Sequence, residues 1–212
     1  MVKILQWYKT VTKSGFFTET EKRSKFISFA FFVENEEEVQ NYLKEIKTKY
    51  YDAKHHVYAY KLEKNNSEKF SDDGEPSGTA GMPLLGVINS YELSNVLIVV
   101  VRYFGGILLG TSGLRKMYIS GGCGAIESAK IEKRILCNNI EIKMNYSEYS
   151  KILNAVKKCG GVITNTDYED DIKLIFYIEK NKTEEILKKI SDIKNGENDF
   201  KIISESFMPL PE

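Results

Sequence analysis

Histidine, cysteine and proline are scarce in this chain of 212 residues, with 2, 3 and 4 copies respectively. The histidines are adjacent, at His55 and His56, so a strand would point them to opposite faces and leave neither with a second histidine for zinc. The cysteines, Cys123, Cys137 and Cys159, are odd in number and show no CxxC spacing. This pattern excludes a disulfide or zinc framework and predicts reduced thiols in a cytoplasmic protein.

Net charge and long apolar runs are also absent. The 30 Lys and Arg residues are balanced by 30 Asp and Glu residues, so any contact with nucleic acid needs a local patch. No apolar run reaches the roughly 20 residues of a membrane-spanning helix, and the N-terminal MVKILQWYKTVTK lacks the apolar region of a signal peptide. With 42% hydrophobic and 28% charged residues, the composition predicts an ordinary soluble protein without a membrane partner.

Glycine, by contrast, is concentrated between Ser71 and Gly122. There SDDGEPSGTAG forms a first loop, and the apolar run VLIVVV leads through RYFGGILLGTSGL into a second. A glycine-rich turn that opens a helix gathers free N–H groups into an anion site. Thr79 is expected to cap the helix after the first loop, and Thr111 or Ser112 the helix after the second. Two helix N-termini are therefore expected to point toward Arg102.

The first loop also carries candidates for chemistry. Asp72, Asp73 and Glu75 place three carboxylates within four residues, a spacing suited to Mg²⁺ or to an acid and base pair. The alternative is a solvated turn in which an aspartate caps its own loop. His56 is the candidate general base, with a structural histidine as the alternative. No GxSxG elbow is present, and the expectation is a protein without a cofactor, Mg²⁺ being the alternative.

Arg102 and Tyr103 leave the carboxyl end of the predicted buried strand, where open α/β sheets place their ligands. A guanidinium between two glycine-rich loops suits phosphate recognition, and Tyr103 or Phe104 can stack on a base. The alternative is that Arg102 pairs with one of the carboxylates of the first loop and joins the two loops. The first interpretation makes these residues the candidates for binding phosphate or nucleic acid: Gly78, Thr79, Arg102, Tyr103, Gly105, Gly106, Thr111 and Lys116.

These motifs carry a resemblance to a known family. DDGEPSGTAG, VVVRYFGG and LGTSGL in this order, with Phe26, His56 and Tyr118, are similar to the IMPACT family of translation regulators in its bacterial YigZ-type form. The resemblance extends over nearly all of the chain. It implies an α+β fold of two domains, the first like the second domain of ribosomal protein S5, a mixed sheet with helices. It implies a second domain similar to the ferredoxin-like domains of elongation factor G.

The pattern after Leu136 supports a separate second domain. Strand-like alternation at Ile140 and Ile142 is followed by helical and strand spacings in the order β-α-β-β-α-β, which is typical of ferredoxin-like domains. The domains are therefore predicted at 1–134 and 135–212. In the first, the aromatic and β-branched stretches on either side of Ser14 predict an opening hairpin.

Residues and resemblance together predict a non-enzymatic protein that binds RNA or a ribosomal component and regulates translation. One alternative is a Mg²⁺-dependent hydrolase or phosphotransferase that uses the carboxylates of the first loop. A second alternative is an adaptor that docks another protein through an apolar patch formed by Tyr103, Phe104 and Tyr118.

Overall fold

A computed structural model of the protein describes residues 6–64, 66–197 and 199–209. The described residues form two compact units, one of Tyr8–Glu132 and one of residues 6–7, 133–197 and 199–209. The boundary predicted after residue 134 lies two residues from the observed one. Residues 1–5 of the predicted first domain lie outside the described part.

The first part of the chain contains six strands and three helices, and the second follows the ferredoxin-like order. In the first part they are β1 (Trp7–Val11), β2 (Gly15–Glu21), β3 (Ser24–Phe32), α1 (Glu36–Lys49), β4 (His55–Leu62), β5 (Ser67–Ser71), α2 (Gly81–Ser90), β6 (Val96–Tyr103) and α3 (Gly110–Ser128). In the second they are β7 (Ile131–Met144), α4 (Tyr146–Lys158), β8 (Val162–Tyr168), β9 (Ile172–Glu179), a 3-10 turn (Lys180–Lys182), α5 (Thr183–Ile193) and β10 (Phe200–Pro209).

The first sheet has the strand order β2-β3-β6-β4-β5, with β6 at its centre. The residues of β6 from Val96 to Val101 are fully buried, as the unbroken apolar run predicts. One face of the sheet packs on α2 and α3, and the other packs on α1. This arrangement buries β6 on both faces and brings the carboxyl end of β6, with Arg102, beside the first turn of α3.

The strand pairings of this sheet run antiparallel. Parallel pairing within the described residues of this unit is limited to a single bridge between Lys9 and Leu93. Lys9 lies in β1, which is not one of the five strands of this sheet.

The predicted hairpin is displaced along the chain. The observed hairpin joins β2 to β3, and its turn is formed by Lys22 and Arg23, both with positive φ. Neither residue is a usual turn residue, so the sequence pattern did not reveal the turn. The polar stretch near Ser67 likewise forms β5, an edge strand paired with β4.

The second unit confirms the β-α-β-β-α-β order. Its strands pair antiparallel in the spatial order β10-β7-β9-β8, which is order 4-1-3-2 of a ferredoxin-like sheet. Helices α4 and α5 cover the face that carries Ile140, Ile142 and Phe176. Asn145 caps α4 through a reciprocal capping box with Glu148, which satisfies two of the free amides at that helix end.

None of the helices in the described ranges combines the length and the apolar character required to cross a membrane.

Candidate functional site

A buried ion pair lies where β6 ends. The Arg102 side chain is 5% exposed, and its Nη1 donates to Glu75 Oε1 at 2.6 Å. The hydroxyl of Tyr118 on α3 donates to the same oxygen at 2.8 Å. Glu75 therefore joins the first loop, the central strand and α3, and it is the carboxylate that Arg102 pairs with.

Tyr118 is fully buried, with its ring edge-on to Phe26 at 5.5 Å between centroids. Burial raises the pKa of the Tyr118 phenol above its usual value, and the charge of Glu75 raises it further. The phenol therefore stays protonated and donates to Glu75. Because its ring is enclosed, Tyr118 is not part of an apolar docking patch, contrary to the adaptor hypothesis.

Asp72 holds the start of α2. Its carboxylate accepts from the backbone amides of Gly78 at 2.9 Å, Ala80 at 3.1 Å and Gly81 at 2.8 Å. The prediction that Thr79 caps this helix is wrong, since the Thr79 hydroxyl donates instead to the carbonyl of Pro76 at 2.6 Å. The chain's own carboxylate thus fills the anion site at the start of α2 that was predicted for phosphate.

We expect Asp72→Ala to lower the free energy of unfolding by about 2 kcal/mol, because three helix-end amides lose a charged acceptor. Thr79→Ala, which removes one neutral hydrogen bond, is expected to cost about 1 kcal/mol. Urea unfolding followed by circular dichroism measures both. A larger loss for Thr79→Ala than for Asp72→Ala would contradict the assignment of the cap.

Asp73 and His56 are tied to each other and to the backbone. Asp73 Oδ2 accepts from the His56 amide at 2.6 Å, and His56 Nε2 donates to the carbonyl of Tyr50 at 3.0 Å. The three carboxylates of the first loop thus serve three separate sets of partners. Across the described ranges, no group of three or more His, Cys, Asp or Glu side chains is placed to hold a metal ion.

A pocket of about 360 Å³ lies beside the ion pair. It lies between the first loop and the second, and His55, the neighbour of the predicted His56, contributes to its wall. His55 Nδ1 lies 2.8 Å from the carbonyl oxygen of Asp73, which can only accept, so that nitrogen carries a proton. His55 Nε2 lies 3.9 Å from Glu75 Oε1. The pocket is lined by Lys54, His55, Gly74, Glu75, Pro76, Arg102, Phe104, Leu108, Leu109, Gly110, Thr111 and Leu114.

Helix α3 begins at this pocket, and none of the described side chains caps it. Its N-cap residue is Leu109, so the prediction that Thr111 or Ser112 caps the helix is wrong. Both residues lie within the first turn of α3, where their backbone amides belong to the free end of the helix. Gly110, with φ of +73°, and Thr111 line the pocket.

The remaining predicted residues lie around the pocket rather than in it. The Tyr103 hydroxyl donates to Asp52 at 2.7 Å, a bond that raises the pKa of Tyr103 to about 12. The Gly105 amide donates to the Ser24 hydroxyl at 3.2 Å. Lys116 is exposed on α3, and the pocket lining includes neither Lys116 nor Gly106.

The second loop exposes apolar side chains at the pocket rim. Phe104 is 43% exposed, Ile107 44% and Leu108 82%. Lys54 lies over the Phe104 ring at 5.9 Å from its centroid, and Arg102 lies at 5.6 Å from the same centroid. The sequence pattern indicates Phe104 as a stacking residue but gives no signal for Lys54 and His55. Lys54 precedes β4 and His55 begins it, and both reach the pocket only through the pairing of β4 with β6.

Fold and site define a two-domain α+β protein, with a cationic and aromatic pocket in the first domain and a ferredoxin-like second domain. The family model described as the Impact N-terminal domain matches residues 22–125, and a domain of unknown function (DUF1949) matches residues 142–197. The chain is 31% identical over 199 residues to the IMPACT family member YvyE of Bacillus subtilis, covering 93% of this chain and 92% of the relative.

The chain is also 30% identical over 190 residues to the IMPACT family member YigZ of Escherichia coli, covering 88% of this chain and 93% of the relative. A crystal structure of a hypothetical protein matches with a TM-score of 0.65 at 27% identity, covering 99% of this chain and 100% of the other. The chain therefore belongs to the IMPACT family, as its two loop motifs predicted.

Proposed function

We propose that this protein binds RNA, free or within a ribosomal particle, and regulates translation without a chemical step. Membership of the IMPACT family supports the role in translation, because the family resembled by the loop motifs is one of translation regulators. The contact with RNA is supported by one observation: the uncapped start of α3 opens into a pocket beside an exposed aromatic ring.

Electrostatics at the pocket favour an anionic partner. The positive charge of Arg102 is balanced by Glu75, but Lys54 is exposed at the rim. The free helix end contributes the equivalent of about half a positive charge. A phosphate group of RNA is the anion that would also bring a base to stack on Phe104, since RNA recognition commonly combines backbone contacts with stacking on aromatic rings.

The test uses residues at the rim, because Arg102 is committed to the buried ion pair. We expect Lys54→Glu and Phe104→Ala each to reduce co-migration with ribosomal particles on a sucrose gradient about tenfold, since each removes a contact worth about 1–2 kcal/mol. Treatment with RNase is expected to release the native protein from the particles.

Lys13→Glu is the matched control, because it makes the same change of charge at the other end of α3. The backbone amide of Thr12, next to Lys13, donates to the carbonyl of Lys130, just beyond the end of α3. Helix α3 has 19 residues and rises 1.5 Å per residue, so Lys13 lies about 27 Å from the pocket at its start. Native protein that migrates free of particles, or rim variants that migrate as the native protein does, would contradict the proposal.

A second candidate function, hydrolysis of a phosphate ester in the same pocket, is favoured by His55. Its Nδ1 donates to the carbonyl of Asp73, so a neutral ring presents an unprotonated Nε2, as a general base requires. His55 Nε2 would take a proton from water while the water oxygen bonds to phosphorus. The bond from phosphorus to the leaving oxygen would break, and that oxygen would take a proton from solvent.

A further inference from the structure

We infer that the uncovered face of β2 binds single-stranded RNA, on the side of the first sheet opposite α3. The side chains exposed on this face are Phe16, Thr18 and Thr20, and together with Lys25 of β3 we call them the β2 strip. A base stacks on Phe16, and phosphate groups bind the cations at the two ends of the strip. The inference rests on the proposed function, because it gives the protein a further surface for the same kind of partner.

The two faces of β2 have different surroundings, since successive side chains of a strand point to opposite faces of a sheet. On one face Phe17 packs into the core under α3, and Glu19 Oε2 accepts from the Ser120 hydroxyl of α3 at 3.0 Å. On the other face the core beneath α1 is formed with β3, β4 and β6. As an edge strand, β2 lies beyond this cover, so its outward side chains reach solvent.

Phe16 is supported on one side and open on the other. It is 54% exposed, and its ring lies 5.4 Å between centroids from the ring of Phe29, which is buried. Phe29 in turn contacts the Tyr50 ring, at the end of α1, at 5.8 Å. A ring that rests on a buried aromatic residue and shows a face to water is a stacking surface for a base, whatever the sequence of the RNA.

Cations lie at both ends of the β2 strip. At one end the turn from β2 to β3 exposes Lys22 and Arg23, and Lys25 follows on β3. At the other end Lys49 lies over the Tyr50 ring at 5.5 Å from its centroid. None of the carboxylates in the described ranges forms an ion pair with these four cations. Their charges are therefore available to phosphate groups.

The carboxylates of β2 point away from the strip. Glu19 and Glu21 alternate with its members and belong to the face that packs on α3. Asp52 lies on the same side as the strip, where it accepts from the Tyr103 hydroxyl at 2.7 Å. A chain with no net charge thus has a local positive surface, which is what a contact with RNA requires.

The dimensions of the strip favour a single strand. Phe16 pairs with Phe29, and Lys25 precedes Phe29 by four residues on β3, so Phe16 and Lys25 are about 13 Å apart along the sheet. A strand, whose charges repeat along its length, can contact both positions at once. A duplex keeps its bases paired and stacked inside and has none to place on Phe16.

Fluorescence anisotropy with a labelled single-stranded uridine oligoribonucleotide of about twelve nucleotides tests the strip, a length within the usual site sizes for single strands. We expect Phe16→Leu to weaken binding about tenfold, since leucine still packs on Phe29 but has no flat ring. Phe16→Trp is expected to retain binding, because indole also stacks. Phe70→Leu is the matched control, since Phe70 is exposed on β5 at the opposite edge of the sheet.

The dependence of binding on salt tests the phosphate contact. Each phosphate of a single strand that a protein neutralises adds about 0.7 to the slope of the logarithm of affinity against the logarithm of salt concentration. Lys25→Ala is expected to reduce this slope by about 0.7, and Phe16→Leu to leave it unchanged. Lys64→Ala is the matched control, since Lys64 is exposed in the turn after β4, three strand spacings of roughly 4.8 Å from β2.

Several results would overturn the inference. They include absence of oligonucleotide binding by the native protein, and binding that Phe16→Leu and Lys25→Ala weaken no more than their controls do. Co-migration with particles that resists RNase and is lost in Phe16→Leu would assign the strip to a protein partner. A dimer in analytical ultracentrifugation that Phe16→Leu dissociates would assign it to a second copy of this chain.

The inference and the proposed function fail in different ways. RNase-sensitive co-migration of the native protein, combined with an oligonucleotide affinity that the strip variants do not change, overturns the strip and leaves the proposed function standing. Oligonucleotide binding that depends on Phe16 and Lys25, in a protein that never co-migrates with particles, supports the strip and contradicts the proposed function.

Discussion

Glu75→Ala is expected to lower the free energy of unfolding by about 3–5 kcal/mol, because it leaves the Arg102 guanidinium buried without its counter-charge. Glu75 Oε1 is also the acceptor for the Tyr118 hydroxyl, so the substitution leaves a second buried donor unpaired. Urea unfolding at pH 7, followed by both circular dichroism and tyrosine fluorescence, measures the loss. Arg102→Ala is expected to be similarly destabilising, since it leaves the Glu75 carboxyl buried without its counter-charge.

A double-mutant cycle separates the pair from its surroundings. If the ion pair joins the loop and the strand, Glu75→Ala combined with Arg102→Ala costs less than the sum of the two single changes by at least 1 kcal/mol. Tyr118→Phe removes one hydrogen bond and is expected to cost only about 1–2 kcal/mol. Additive single losses would show that the two charges do not stabilise each other.

Gly105→Ala is expected to destabilise the protein by about 3 kcal/mol, because the added methyl group has no space. A Cβ at this position would lie 2.1 Å from the carbonyl carbon of Arg23 and 2.5 Å from the amide nitrogen of Ser24. These are backbone atoms of the turn between β2 and β3 and cannot turn aside as a side chain does. The second loop would therefore shift, and co-migration with ribosomal particles is expected to fall along with stability.

Gly86→Ala is the matched control for that substitution. Gly86 lies exposed in the middle of α2, and a Cβ there would meet no atom within 4 Å. The change is expected to stabilise the protein by about 0.5–1 kcal/mol, because alanine loses less backbone entropy than glycine in a helix. Opposite signs for Gly105→Ala and Gly86→Ala in thermal unfolding would support this account. Equal effects would contradict it.

Local signals predicted much of the fold. Asn35 caps α1, its side chain accepting from the Glu38 amide, and such a cap needs only a short polar side chain at the right spacing. The buried strand β6 is confirmed because an unbroken apolar run cannot face water on either side. The β-α-β-β-α-β order of the second unit is confirmed, because the spacing of apolar residues is helical in its helices and alternating in its strands.

Helix caps at the two glycine-rich loops were predicted less well. Thr79, Thr111 and Ser112 have the right chemistry for a cap and lie near the right positions. The cap of α2 comes instead from Asp72, eight residues before Ala80 along the chain, since the loop folds back on itself. Spacing rules for caps consider only adjacent residues, so they cannot identify an acceptor brought back by the path of a loop.

The sequence by itself determined the family, the two α+β domains and the two glycine-rich loops that border the candidate pocket, because these follow from local periodicity and from long ordered motifs. Only the tertiary structure decided which groups are available there. Strand pairing brings His55 beside Arg102, and the fold gives Glu75 to Arg102 and Asp72 to α2. The start of α3 receives no such carboxylate. These pairings depend on the path of the loops and on the order of the strands, which no local pattern encodes.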